Sequence, residues 1–386
     1  MTRSHAYLGA DIFDGAARIG GHALLVEDGR VQAIVPEDAV PDAATVTRLN
    51  GGLICPGFVD LQVNGGGGVM FNDDPSADVL RVMARAHARL GATAILPTLI
   101  TDTARHTGAA IAAVEAAVVQ AVPGILGLHL EGPHLSVARK GAHDAGLIRA
   151  MDPADLALLC DAAARLPVLK VTLAPETVTP DQIATLVAAG VIVSLGHSDA
   201  GFETCVAAAE AGASCVTHLF NAMSQLGNRE PGLVGAALTC GGLSAGLIAD
   251  GIHVHPASIR AAMTAKAGPG QVFLVSDAMS VAGSEQTEFT LNGRLIRREA
   301  GRLTLEDGTL AGADLDQLTA VRNLVGWGGI ADEAGALAMA TSIPAEVIGV
   351  AGYGRLTPGG PADFLHLDGS GPPAVWQAGA LLPPAA

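Results

Sequence analysis

Ile125-Leu126-Gly127-Leu128-His129-Leu130-Glu131-Gly132-Pro133 reads as a short, mostly apolar run that stops on a carboxylate and a Gly-Pro turn. Residues 125–130 have the length of one strand. A near-continuous apolar strand suits a parallel sheet covered on both faces. The same unit recurs along the chain. Further apolar runs fall at residues 54–63, 92–99, 168–173, 191–195, 215–219, 245–248 and 272–275. Between most of them lie helical segments at 78–90, 104–122, 153–166, 180–189, 200–211, 256–267 and 314–325. This alternation and the chain length of 386 residues predict an α/β fold, a (β/α)₈ barrel rather than an open doubly wound sheet.

Both ends read differently. Residues 22–27 and 31–35 flank Asp28-Gly29-Arg30, a hairpin signal, and residues 361–368 form another strand-like stretch. A small β-sandwich domain built from both termini, residues 1–55 and 352–386, is therefore expected, with the barrel at 56–351 inserted between them. Residues 286–302 look like a strand-rich excursion after the last barrel strand, and the sequence gives no function for it.

Charge narrows the partners. The net charge of −16 leaves no broad basic face for nucleic acid, so any anionic substrate must be held by a few local cations. With two Trp, two Tyr and eight Phe, the core must be built from Ala, Val, Leu and Ile. Cys55, Cys160, Cys205, Cys215 and Cys240 are odd in number and form no C-x-x-C pair, as free thiols in a reducing compartment would. No apolar leader and no uninterrupted apolar span of membrane length is seen, so a cytoplasmic protein without membrane partners is expected.

Chemically active side chains fall where the strands end. Glu131 follows the third run, Glu176 the fourth, His197 the fifth and His218 the sixth; His253 follows the seventh and Asp277 the eighth. In a (β/α)₈ barrel these ends share one face, where active sites are built. Alone, Glu131 could as well cap the next helix, and either histidine could be a hydrogen-bonded loop residue. Together, one carboxylate and two imidazoles on adjoining strands suit a divalent metal site with a position open for water. Asp277 suits a general base, its plainer alternative being a helix cap. The glycine run Asn64-Gly65-Gly66-Gly67-Gly68 fits neither a Walker loop nor a dinucleotide fingerprint.

Read in order, these segments resemble the N-acetylglucosamine-6-phosphate deacetylases of the amidohydrolase superfamily. The more specific motifs are His129-Leu130-Glu131-Gly132-Pro133, Gly196-His197-Ser198, Thr217-His218-Leu219-Phe220-Asn221-Ala222-Met223 and Asp250-Gly251-Ile252-His253. Pro56-Gly57-Phe58-Val59-Asp60 and the Gly354-Arg355-Leu356 … Gly360-Pro361-Ala362-Asp363 tail are shared more widely. The resemblance implies a metal-dependent deacetylase that yields glucosamine 6-phosphate and acetate. It implies Glu131, His197 and His218 as metal ligands, Asp277 as the catalytic aspartate and His143 as a group that polarises the acetamide carbonyl. Asn221, Ala222, Arg229 and His253 would contact the sugar phosphate, and a homodimer is implied.

One departure stands out. Many superfamily members carry His-x-His after the first strand and bind a second metal; here the residues are Gln62-Val63-Asn64. One divalent ion per subunit is therefore expected, zinc foremost and iron, manganese or cobalt as alternatives, with Gln62 and Asn64 around it but not ligating. A bridging-lysine centre is poorly matched, since Lys170 precedes its strand end by several residues. Other readings are a deacetylase for the galactose epimer, an amidohydrolase for another amide, and an inactive binding homologue.

Overall fold

The recurring runs form eight parallel strands ordered as they occur in the chain. They are Val59–Val63, Ala94–Ile100, Leu128–Glu131, Leu169–Leu173, Ile192–Leu195, Cys215–Val216, Ser244–Leu247 and Val272–Leu274. This is a computed structural model that describes residues 4–350, 352–369 and 371–384. Residues 1–3, 370 and 385–386 of the expected terminal domain, and Ala351 at the expected end of the barrel, lie outside the described residues.

The last strand meets the first through a seam rather than a full ladder. Val63 bridges Ala278, Asn64 N–H donates to Ala278 O at 2.8 Å, and Asp277 N–H donates to Gln62 O at 3.1 Å. Deeper in the seam, the buried Asp60 carboxylate accepts from Ser276 N–H and Gln62 N–H, each at 3.2 Å. A side chain thus supplies the acceptor that a backbone carbonyl supplies elsewhere in the barrel.

Period-2 alternation turns Leu61, Leu130, Val171, Val193 and Val216 toward the helices, where they join the main apolar core. The inward positions are polar. His129 touches Thr98 Oγ1 and Thr172 Oγ1, and Thr217 Oγ1 meets both Thr172 and Ser194 at 2.7 Å. The runs that read as near-continuously apolar are therefore two-faced, with an inner face held by hydrogen bonds.

Several helices begin where their sequence provides a side-chain cap. Asp152 and Thr179 form capping boxes with Asp155 and Gln182, each with proline at the first helical turn. Ser76 and Thr103 cap the two helices before them. Such caps are each worth about 1 kcal/mol. Three helices had no sequence signal assigned: Gly232–Thr239, Glu333–Ala340 and Ser342–Val347. The first two are small-residue segments without a clear apolar stripe, and the third is a short piece.

The termini build two sheets. One orders Arg30–Pro36, His22–Glu27, His5–Leu8 and Thr45–Arg48. The other orders Ala380–Leu381, Ala374–Gln377, Phe364–Leu367, Leu53–Pro56, Asp11–Phe13 and Arg18–Ile19. They share a core of Tyr7, Leu24, Val26, Ile54, Phe364 and Trp376, the last two rings stacked 4.8 Å apart. The expected hairpin is present, with Asp28 at φ 50° and Gly29 at φ 74°, as a tight two-residue turn requires. The expected run at 54–63 is split: Leu53–Pro56 belongs to a terminal sheet and Val59–Val63 to the barrel. Between them a Cβ on Gly57 would lie 2.0 Å from Thr93 Oγ1, so only glycine fits that crossing.

Asp363, just before the strand Phe364–Leu367 that pairs the two termini, is half-buried and accepts Ala378 N–H at 2.7 Å, and burial pushes its carboxyl up to about 6. A raised folded pKa favours the protonated fold, so this stability is present at low pH and lost as pH rises through about 6. Asp363→Asn keeps an acceptor for Ala378. It is expected to melt above the parent at pH 8, with the gain shrinking toward pH 4.5 in a thermal-melt series.

Candidate active site

The C-terminal ends of the barrel strands open onto one cavity of about 510 Å³, lined among others by Asn64, Glu131, His143, His197, His218 and Asp277. Three of these residues have left-handed backbone: His197 at φ 47°, His218 at φ 29° and Asp277 at φ 51°. Each lies two or three residues beyond a strand. The bend turns the side chain back over the barrel mouth, and non-glycine residues held there are a mark of functional sites.

Glu131 ends the third strand and is buried. Its Oε1 lies 3.1 Å from His218 Nε2 and 3.3 Å from His197 Nε2, and the two Nε2 atoms are 3.1 Å apart. For metal–ligand bonds of 2.0–2.1 Å, the edge of a tetrahedron is about 3.3 Å. The triangle therefore has the size of one face of a tetrahedral site. His197 Nδ1 lies 2.8 Å from Arg139 O, which can only accept, so Nδ1 carries the proton and Nε2 offers a lone pair. Two acceptor atoms, His197 Nε2 and Glu131 Oε1, thus face each other at 3.3 Å. A cation resolves that repulsion, and the residues fit one.

His143 also comes within reach: Glu131, His143 and His197 each offer a donor atom within 4.8 Å of the others. Its ring is differently committed. Nδ1 accepts Thr101 N–H at 3.3 Å and sits 2.7 Å from Thr101 Oγ1, which leaves the ring proton on Nε2. Burial, then the neighbouring His197, holds its pKa well below the ordinary histidine value. His143 is a neutral N–H donor, and the smaller triangle with His218 is the better ligand set.

Asp277 Oδ1 accepts two amides, Asn64 Nδ2 at 2.8 Å and Gln62 Nε2 at 3.1 Å. The same Gln62 Nε2 lies 3.1 Å from Glu131 Oε1, so one amide spans both carboxylates. Burial, then the Glu131 charge, pushes the Asp277 carboxyl up to about 6. Its Oδ2 makes no hydrogen bond among the described residues. The carbonyl oxygens of Gln62 and Asn64 are buried and unpartnered, as is His218 Nδ1.

Asn221, Ala222 and His253 line the cavity as well. His253 Nδ1 is 2.6 Å from Asp250 Oδ2, while Asp250 Oδ1 accepts the Ile252 and His253 N–H groups at 2.8 Å. This keeps the imidazole fixed with Nε2 unused. Arg229 is exposed on the loop before Gly232–Thr239 and does not line this cavity. Glu176 accepts Ser198 Oγ and Asp199 N–H, both at 2.7 Å, and so braces the turn after His197. Lys170 is fully buried a layer beneath Glu131, its Nζ 3.4 Å from His129 Nε2, and reaches no bridging position.

Several participants were not singled out in the sequence. Thr101 follows the second strand, and Asp250 sits inside a quoted motif; attention to polar residues at every strand end finds both. Leu291 lines the cavity from the excursion, Thr309 and Leu310 from the stretch after it, and no local signal marks them.

The amidohydrolase family model matches residues 53–384, and the NagA composite domain matches residues 5–54. An N-acetylgalactosamine-6-phosphate deacetylase of Shewanella sp. (strain ANA-3) is 48% identical over 344 residues, 87% of this chain and 84% of that one. An N-acetylglucosamine-6-phosphate deacetylase of Haemophilus influenzae is 34% identical over 331 residues, 85% of each chain. Among solved structures, an N-acetylglucosamine-6-phosphate deacetylase from Pasteurella multocida superposes with a TM-score of 0.93 at 35% identity, covering 98% of this chain and 99% of that one. A mutant of the Mycobacterium smegmatis enzyme in complex with N-acetyl-D-glucosamine-6-phosphate gives 0.88 at 30%, with 98% and 99% covered. The chain belongs to the amidohydrolase family, its barrel preceded by a NagA composite domain.

Proposed function

We propose that this chain hydrolyses the acetamide of an N-acetylhexosamine 6-phosphate, N-acetylglucosamine 6-phosphate in the first place, to acetate and the free amino sugar. The observation that carries the reading is the Glu131–His197–His218 triangle with Asp277 and His143 on the same cavity. One divalent ion per subunit, zinc by the one-carboxylate, two-imidazole donor set, would be held by that triangle and would supply Lewis acidity and an acidified water. Among the described residues no helix is long and apolar enough to cross a membrane.

The side chains divide the remaining work. Asp277 has one oxygen tied by two amides, so Oδ2 takes the proton from the attacking water. It then returns that proton to the sugar nitrogen as the C–N bond breaks, and the water oxygen stays with acetate. His143 Nε2–H donates to the carbonyl oxygen as negative charge builds there; its neutral state lets it donate without titrating at pH 7. His253, Asn221 and Ala222 line the same cavity and would contact the sugar phosphate. Arg229, exposed and away from this cavity, suits contact with the site of a second subunit in a homodimer.

The galactose epimer is a second reading, favoured by the 48% identity to the Shewanella enzyme. Acetate release from both 6-phosphates, and from unphosphorylated N-acetylglucosamine, tests the proposal. Turnover of a phosphorylated sugar and little of the free one is expected. Faster turnover of the galacto compound would shift the substrate, and no turnover of either would end the reading.

Metal analysis should find about one ion per chain. Dialysis against a chelator is expected to abolish turnover, and zinc to restore it. Asp277→Asn should lower kcat about 10²–10⁴-fold while keeping the ion. His143→Gln should cost about 10²–10³-fold in kcat.

A further inference from the structure

Loop 136–143 connects the two histidines that face each other across the cavity. Ser136 N–H donates to His197 O at 2.8 Å, and Arg139 O accepts from His197 Nδ1 at 2.8 Å. Four residues on, the same loop carries His143, whose ring meets that of His197 edge-on at 4.3 Å. Little regular structure lies between them. One 3₁₀ turn spans Val137–Arg139, and Gly141 follows at φ 53°, where a Cβ would come 3.3 Å from His197 Cε1. Such a loop holds a side chain only as well as its tethers do.

The tether on the far side comes from the excursion. Glu288–Leu291, Arg294–Glu299 and Arg302–Thr304 form an antiparallel sheet. Its Phe289, Leu291, Ile296 and Leu303 pack with Ile100 and Met279 in a cluster of their own, and Ala142 lies against it. Arg294, half-buried at the start of the central strand, donates from Nη2 to Ala142 O. No other donor reaches that carbonyl among the described residues. Ala142 immediately precedes His143.

We propose that the excursion is a clamp on the active site, in which Arg294 holds the Ala142 carbonyl and so sets the direction of His143 Nε2. Arg294 is a positioning residue: it acts through the loop and touches no reacting atom. Its catalytic consequence rests on the deacetylase reading above, whereas the tether itself does not. Thr101 holds the ring at Nδ1, so losing the tether lets the His143 backbone drift and Nε2 tilt about that anchor, and a misplacement of about 1 Å in a positioned group can cost roughly 100-fold in rate. Glu131, His197 and His218 stand at the ends of three barrel strands, and the two loop bonds to His197 come from Ser136 and Arg139 rather than Ala142, so the triangle should keep its ion.

The test compares the metal-loaded parent with Arg294→Ala, Arg294→Lys and Arg297→Ala, the last removing an exposed arginine of the same strand. Turnover of the 6-phosphate substrate, bound metal and amide hydrogen exchange across 136–143 are measured for each. Arg294→Ala should lose about 10- to 100-fold in kcat, with KM within about twofold and metal unchanged. Exchange in the loop should rise. Arg294→Lys, which keeps a charged donor, should recover much of the protection and part of kcat, and Arg297→Ala should match the parent. Parent-like exchange and kcat in Arg294→Ala, or equal losses in Arg297→Ala, would overturn the clamp. A parent that turns over neither sugar phosphate sinks the deacetylase reading, and the exchange contrast still decides the tether.

Discussion

Glu131 is a buried carboxylate, and much of the barrel mouth answers the demand that places on it. Burial alone would push its pKa up, yet the adjoining His197 and His218 imidazoles hold it well below the ordinary carboxylate value. Two more carboxyls, Asp60 and Asp277, are buried in the same barrel, and Lys170 is the one lysine or arginine buried with them among the described residues. Isolated buried charges are expensive unless paired and hydrogen-bonded. Here amides and imidazoles surround the anions, and a dication at the triangle would supply further countercharge. The charge pattern thus suits a cation there as the donor geometry does.

The seam between the first and last strands sets where these groups stand. Asp60 accepts from the Ser276 and Gln62 N–H groups, Asp277 N–H donates to Gln62 O, and the Gln62 and Asn64 side-chain amides donate to Asp277 Oδ1. Backbone and side-chain bonds run between the same few residues in both directions. Barrel closure and placement of the proposed base are therefore one structure. A barrel strand shifted by one residue would turn Gln62 outward and leave the base without its donors.

Much of this was legible from strand ends. Glu131, His197, His218 and Asp277 announced themselves because reactive side chains recur there, and the structure brings all four to one cavity. The break at Gly57 was not legible, because it depends on Thr93 lying against it from another strand. The polar inner face was hidden for a similar reason: Thr98, Thr172, Ser194 and Thr217 are ordinary strand formers until their hydroxyls are seen to meet. The excursion was visible as strands, but the wall that its Leu291 forms with Thr309 and Leu310 beyond it exists only after the chain folds back on the mouth. Arg229 sits in a matching motif yet outside the cavity, a placement that the motif alone does not carry.

The replacement of His-x-His by Gln62-Val63-Asn64 has a consequence beyond the loss of two ligands. An imidazole there would present a lone pair to a cation; each amide instead presents N–H to Asp277 Oδ1. Where a second ion would need acceptors, donors stand. The amide carbonyls point elsewhere and are unpartnered, so the same side chains cannot ligate without turning over and abandoning Asp277. The amides also leave Asp277 with a single working oxygen. In the proposed reaction, proton uptake from water and delivery to the leaving nitrogen would then both pass through Oδ2, which would confine water and amine to one side of the carboxyl. One pair of substitutions thus both withholds acceptors from a second ion and makes the proposed base one-sided.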